Sequence, residues 1–229
     1  MWQRVIQRAS YRLFTVPIYC GIAAVIILKH KSILDDFVKC STIVTEHEGQ
    51  RACAITDSLI RTLVVGEDHR NSMHFGVDPI AILRSVKVRI FEGKRQGAST
   101  IEQQLVRTIT GRYEKTSKRK FREQILAVML SSKFSKDDLA ACYLMVAYYG
   151  ASLVGASGLK KLSIGSTSCI NELIVAHLKY PRSSTPTEAL IRKQLLRVAH
   201  LKGLLAETNT GLFLKKPSKT LSGSPLRFD

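Results

Sequence analysis

Glu67-Asp68-His69-Arg70-Asn71-Ser72-Met73-His74-Phe75-Gly76-Val77-Asp78-Pro79 is the stretch from which the rest of the chain is read. Upstream of it, Leu59, Ile60, Leu63 and Val64 recur at helical spacing behind Asp57 as N-cap. That helix is expected to end near Gly66, delivering Glu67 and Asp68 to its terminus or to the loop that follows. Downstream, Asp78-Pro79 pairs a capping side chain with proline at the first helical position, and Ile80, Leu83, Val86 and Ile90 then share one face. Two adjacent acids therefore sit at the junction of two helices.

The next segment is strongly basic. From Lys87 to Glu123 there are eleven Lys and Arg residues against four Glu, a surface suited to a pyrophosphate-bearing ligand. Glu92 to Gly97 reads as a charged, glycine-bearing loop. Ser99-Thr100-Ile101-Glu102 has the capping-box pattern, with Glu102 as the reciprocal partner of Ser99, so a helix is expected from there to Thr110, stopped by Gly111. A further helix from about Ser117 to Ser132 carries Arg119-Lys120-x-x-Glu123, which puts Arg119 and Glu123 on one face. Ser135 caps a helix reaching Tyr149, and Glu172 to Leu178 and Glu188 to Leu205 are helical patterns. No alternating strand run of useful length occurs, so the domain is expected to be mostly α.

The 229 residues, 45% hydrophobic, allow one domain of ordinary size, and the net charge of +17 calls for an anionic partner. At the N-terminus, Arg4, Arg8 and Arg12 precede the uncharged run Leu13 to Leu28, which Lys29-His30-Lys31 closes. Sixteen residues fall just short of the roughly 17 to 25 of a spanning helix, but flanking cations snorkel, and no small-x-small cleavage site follows the run. The expected organisation is a basic N-terminus and transmembrane anchor over 1–31, a polar connector over 32–54, the domain over 55–214 and a disordered tail over 215–229. Five cysteines without a C-x-x-C spacing indicate neither a zinc site nor a full disulfide set; Cys40 and Cys53 are the conceivable pair, unpaired thiols the preferred reading. The anchor, and the lack of zinc-finger spacing or an aromatic-basic RNA motif, argue against nucleic acid as the partner.

Glu67-Asp68-x5-His74-x-Gly76-x-Asp78, then Gly97-Ala98-Ser99-Thr100-x-x-Gln103-Gln104, then Arg119-Lys120-x-x-Glu123, in this order and spacing, resemble the peptidoglycan glycosyltransferases of family 51, the transglycosylase domain of class A penicillin-binding proteins. The resemblance extends from about Leu59 to Arg197. It implies a lysozyme-like helical glycosyltransferase domain behind a single transmembrane helix in the inner membrane, with the domain outside the cytoplasm. The implied activity polymerises a lipid II-like disaccharide with inversion and release of polyprenyl pyrophosphate. A length without room for a transpeptidase domain implies the monofunctional form.

By the same resemblance, Glu67 is the catalytic base, and Glu123 is the second catalytic carboxylate, which positions the pyrophosphate as a ligand of Mg²⁺ or Mn²⁺ or orders the cations. Gln103, Gln104, Arg107, Lys115, Arg119 and Lys120 bind donor phosphate and sugar, while Asp68, His74, Ser99 and Thr100 support them. The chain departs from the family pattern at His69, Asn71, Glu102, Lys115 and Met145. Those departures keep two alternatives open, a catalytically degenerate scaffold working with envelope-synthesis proteins and a lytic enzyme on a related fold.

Overall fold

The computed structural model describes residues 2–48, 55–94, 96–164 and 169–209. In chain order its elements are α1 (Trp2–Ile27), α2 (Lys31–Glu48), α3 (Asp57–Glu67), α4 (Pro79–Glu92), α5 (Ile101–Thr110), α6 (Ser117–Lys133) and α7 (Lys136–Val146). The strands β1 (Tyr148–Gly150) and β2 (Leu153–Val154) follow, then α8 (Gly155–Ser163), α9 (Ile170–Lys179) and α10 (Glu188–Asn209). The mostly α expectation is met. Among the described residues an antiparallel β1–β2 pair takes over where a longer α7 was expected.

The core forms around α7. Leu139 to Met145 are all buried, so this helix is apolar on every side and packs against α2, α3, α5 and α8. Ser135 caps it, accepting from Asp138 N at 3.1 Å. Helix α5 lays Ile101, Leu105, Val106 and Ile109 against it and ends at Gly111 in the left-handed conformation. The long last helix, α10, packs on α3 and α9 through the fully buried Leu201.

At the N-terminus one expectation is corrected and a second is not shown. Residues 31–48, expected within the anchor's end and a polar connector, form a helix packed on α5, α6 and α7, burying Ile33, Cys40, Ser41 and Val44. Asp36 fastens it to α6 by accepting from Arg122 Nη2 at 2.5 Å, with Arg112 Nε at 3.3 Å. The single transmembrane helix is not found. No single helix among the described residues is long and apolar enough to cross a membrane; Leu13–Ile27 and Lys31–Glu48 reach that length only together, bent by 105°. The cause is a helix stop at Lys29, whose φ of 46° lets His30 N bond back to Val25 O. Helix α1 lies along α6, where a Cβ on Gly21 would come within 2.9 Å of the Phe121 ring. Its other side, with Leu13, Phe14, Ile27 and Leu28, is exposed.

The apolar face expected on α4 is also outward: Ile80, Leu83, Val86 and Ile90 are exposed, and Ala81 is the buried residue of that helix. Cys20, Cys40, Cys142 and Cys169 are not disulfide-bonded; Cys53, like residues 49–54 and the expected tail, lies outside the described residues.

Gly76 joins this frame to the site. Its φ is +86°, and a Cβ there would stand 2.4 Å from the Ala127 carbonyl oxygen on α6. Gly76→Ala is therefore expected to cost about 2 kcal/mol or more, from the left-handed backbone and the clash together. Chemical denaturation of the variant beside the wild type checks this as a lowered midpoint.

Candidate active site

Helix α3 begins at Thr56, whose hydroxyl accepts from Leu59 N; the cap is one residue earlier than Asp57. It ends with Glu67, and Asp68 follows as C-cap. The Asp68 carboxylate is buried. It accepts from His74 Nε2 at 2.9 Å, from Asn71 Nδ2 at 3.2 Å and from the backbone N–H of Ile101, the first residue of α5, at 3.3 Å. Burial alone would raise this carboxyl, but the hydrogen bonds from His74 and then Asn71, with the Lys136 charge, outweigh it and hold Asp68 below the usual carboxylate range. Asp78 shapes the far end of the loop, accepting from Ala81 N at 2.9 Å as N-cap of α4 and from Arg70 Nε at 2.8 Å.

Because Nε2 of His74 donates to Asp68, Nδ1 is left to accept from the Lys136 ammonium 3.3 Å away. Lys136 also bonds Glu102 Oε1, while Glu102 Oε2 is buried without a hydrogen-bond partner among the described residues. This corrects the capping box. Thr100, rather than Ser99, caps α5, accepting from Gln103 N at 3.3 Å and donating to Gly76 O at 2.7 Å. Glu102 faces inward to Lys136, and Ser99 is released to the cations.

Those cations converge on Glu123, which is 3% exposed on α6. Oε1 accepts from Arg107 Nη2 at 2.8 Å and Lys120 Nζ at 3.0 Å; Oε2 accepts from Arg107 Nε at 3.3 Å and from Arg119. Ser99 Oγ lies 3.2 Å from Arg107 Nη2 and 3.0 Å from Lys120 Nζ. Burial draws the Lys120 ammonium below its ordinary value, the Glu123 charge and hydrogen bond oppose this, and Arg107 and Arg119 add to it.

The site opens as two adjoining clefts of about 680 Å³ each. Glu67, His69, Gln104 and Arg197 line the first; Arg89, Lys115 and Arg119 line the second; Gln96 and Arg107 border both. Glu67, Gln104, Arg107, Lys115 and Arg119 are thus brought to the clefts. Gln103 is not: fully buried, it accepts from Lys120 Nζ at 2.5 Å beneath them. Glu123 is likewise beneath its cations rather than facing Glu67 across open space. Tyr143 supports the wall by donating to Gln104 Oε1 at 2.8 Å; burial, then the charge of Glu67, raises its hydroxyl.

A divalent ion on Glu123 does not fit this arrangement, because three cationic side chains already occupy both of its oxygens. Asp68, His74 and Glu102 hold ligand atoms within 4.8 Å of one another, but the Lys136 ammonium bonds two of the three.

Lys136 and Arg197 are two site residues that the sequence does not single out. The latter donates through Nη2 to Glu67 Oε1 at 2.8 Å and to Gly66 O at 2.7 Å. Neither residue has a local pattern that reveals its partner, 34 and 130 positions away.

Residues 40–162 match the Transglycosylase family, more than half of the chain, and the chain belongs to that family. Among its curated relatives, penicillin-binding protein 1A of Escherichia coli (strain K12) is 33% identical over 159 residues, covering 67% of this chain and 19% of that protein. Penicillin-binding protein 1A of Aquifex aeolicus is 32% identical over 163 residues, covering 67% and 22%, and penicillin-binding protein 1B of Vibrio cholerae 36% over 109 residues, covering 47% and 14%. The matched part is about a fifth of the length of the two 1A proteins.

Two outcomes follow from the buried charges. Lys136→Met leaves Glu102 uncompensated and is expected to cost about 3 to 5 kcal/mol, whereas Lys136→Met with Glu102→Met is expected to recover most of that loss, read from unfolding curves. Asp68, with its folded value depressed, contributes stability that is full above its unfolded value of about 3.9 and is lost as pH falls through the folded value. Replacing it by Asn is therefore expected to flatten the acid side of the stability profile below about pH 4.

Proposed function

We propose that the chain is a peptidoglycan glycosyltransferase that extends a glycan from a lipid II-like donor. The observation that carries this reading is the junction of the two clefts: a carboxylate in one, phosphate-binding cations in the other, with Arg107 and Gln96 common to both. Glu67 takes the proton from the 4-hydroxyl of the acceptor's N-acetylglucosamine. The freed oxygen attacks the anomeric carbon of the growing chain from the face opposite the pyrophosphate. The new C–O bond forms as the old one breaks, its electron pair leaves on the polyprenyl pyrophosphate, and the centre inverts.

Lys115, Arg119 and Arg107 lie where they would receive that negative charge, with Lys120 behind them. Lys115 acts as a point charge without the fork of an arginine. Glu123 keeps the cations together and out of one another's way. Mg²⁺ or Mn²⁺, implied by the family pattern, has no ligand set at Glu123, so no step is drawn through it. The exposed apolar sides of α1 and α4 suit a chain held at the outer face of the cytoplasmic membrane, where a polyprenyl substrate resides.

Incubation of purified protein with lipid II and Mg²⁺, followed by separation of glycan polymer, tests the reading. Glu67→Gln is expected to lower turnover by about 10²- to 10⁴-fold with KM little changed. Arg119→Ala is expected to weaken use of the donor. Polymer formation by Glu67→Gln at the wild-type rate rejects the base, and a wild type that leaves lipid II intact while degrading finished glycan rejects the polymerase.

A further inference from the structure

The base assignment leaves a physical problem. A glutamate at the last position of a helix meets the negative end of the helix dipole and has free rotation about three side-chain bonds. Something must hold its carboxylate for proton transfer.

We propose that Arg197 is the positioning residue for Glu67, an assignment that rests on the reading of Glu67 as the base. One nitrogen, Nη2, is shared between Gly66 O at 2.7 Å and Glu67 Oε1 at 2.8 Å, so the carboxylate is referred to its own backbone through a rigid planar group. The Arg197 side chain is 10% exposed and that of Glu67 17%, which separates this contact from an ordinary surface ion pair. Arg197 Nε is buried without a partner among the described residues, a cost expected at a functional position and not at an incidental one.

The approach of α10 is itself built in. A Cβ on Gly66 would stand 2.5 Å from Leu201 Cδ2 and 3.4 Å from Arg197 Nη2. A glycine immediately before the base thus admits the helix that carries the arginine, and Leu201, one turn after Arg197, is the fully buried anchor of that contact. With Oε1 taken by the guanidinium, Oε2 of Glu67, which has no hydrogen-bond partner among the described residues, is left to receive the proton of the acceptor hydroxyl.

The test compares wild type, Arg197→Ala and Arg197→Lys in two measurements. In the lipid II assay, Arg197→Ala is expected to lower kcat by about 10- to 100-fold with KM little changed. Arg197→Lys is expected to retain part of the rate, and added guanidinium ion to restore part of it to Arg197→Ala but none to Glu67→Gln. Independently of turnover, carbodiimide-driven coupling of glycine ethyl ester at Glu67, located by mass spectrometry, is expected to be slow in wild type and faster in Arg197→Ala. Arg197→Gln, which keeps the stem and an amide donor, replaces the alanine variant if thermal unfolding shows that variant to be unfolded.

An unchanged kcat, a rise confined to KM, or equal labelling of Glu67 in wild type and variant overturns the proposal. A labelling difference in a wild type that makes no polymer has the opposite meaning: the pairing stands and the polymerase reading fails.

Discussion

The site depends on one buried, hydrogen-bonded carboxylate. Asp68 collects a histidine, an asparagine and the first N–H of α5, and so binds the C-terminus of α3 to the loop after it and to the helix bearing Gln104 and Arg107. Asp68 itself is buried, while the preceding residue, Glu67, lines the cleft. A carboxylate at a helix N-terminus is favoured by the dipole and by unmade N–H groups. That gain, with the His74 bond, offsets the cost of burying the charge and makes the α3–α5 angle hard to change.

A second constraint is repulsion. Arg107, Arg119 and Lys120 stand within hydrogen-bond reach of one carboxylate, and three like charges so close would splay apart without it. Glu123 spreads four contacts over two oxygens, leaving two net positive charges fixed in place before any anion arrives. Charge held in this way acts locally, whereas the overall surplus of +17 is spread over a surface whose distant charges are screened by salt.

The parts legible in the sequence were those governed by local chemistry. Asp78-Pro79, Gly111 and Ser135 mark helix ends through side chains or dihedrals that act within a few residues, and each stands where it was expected. The parts that were not legible depend on contacts across the fold. Ser99 and Thr100 both qualify as caps, and the choice is made by Gly76 O, far back in the chain, which draws the threonine hydroxyl. In α2 the inward positions include Cys40 and Ser41, which add little to an apolar pattern, so a packed helix read as a connector. In α4 the apolar stripe is present, but periodicity says only that a face exists, not that protein covers it.

The two glutamates show why residue type alone does not assign a role. Glu123 has every oxygen engaged by cations that are themselves half-buried, so a proton taken there would displace an ion pair and leave a cluster of positive charge without its counterion. Glu67 has a cation on one oxygen and, among the described residues, no hydrogen-bond partner on the other; it lines a cleft of about 680 Å³. Protonating Glu67 therefore costs one charged contact, while protonating Glu123 disturbs four. That difference in surroundings, more than their place in a motif, is what supports the proposed division into a base and a counterion, much as unlike environments separate the roles of paired carboxylates in glycoside chemistry.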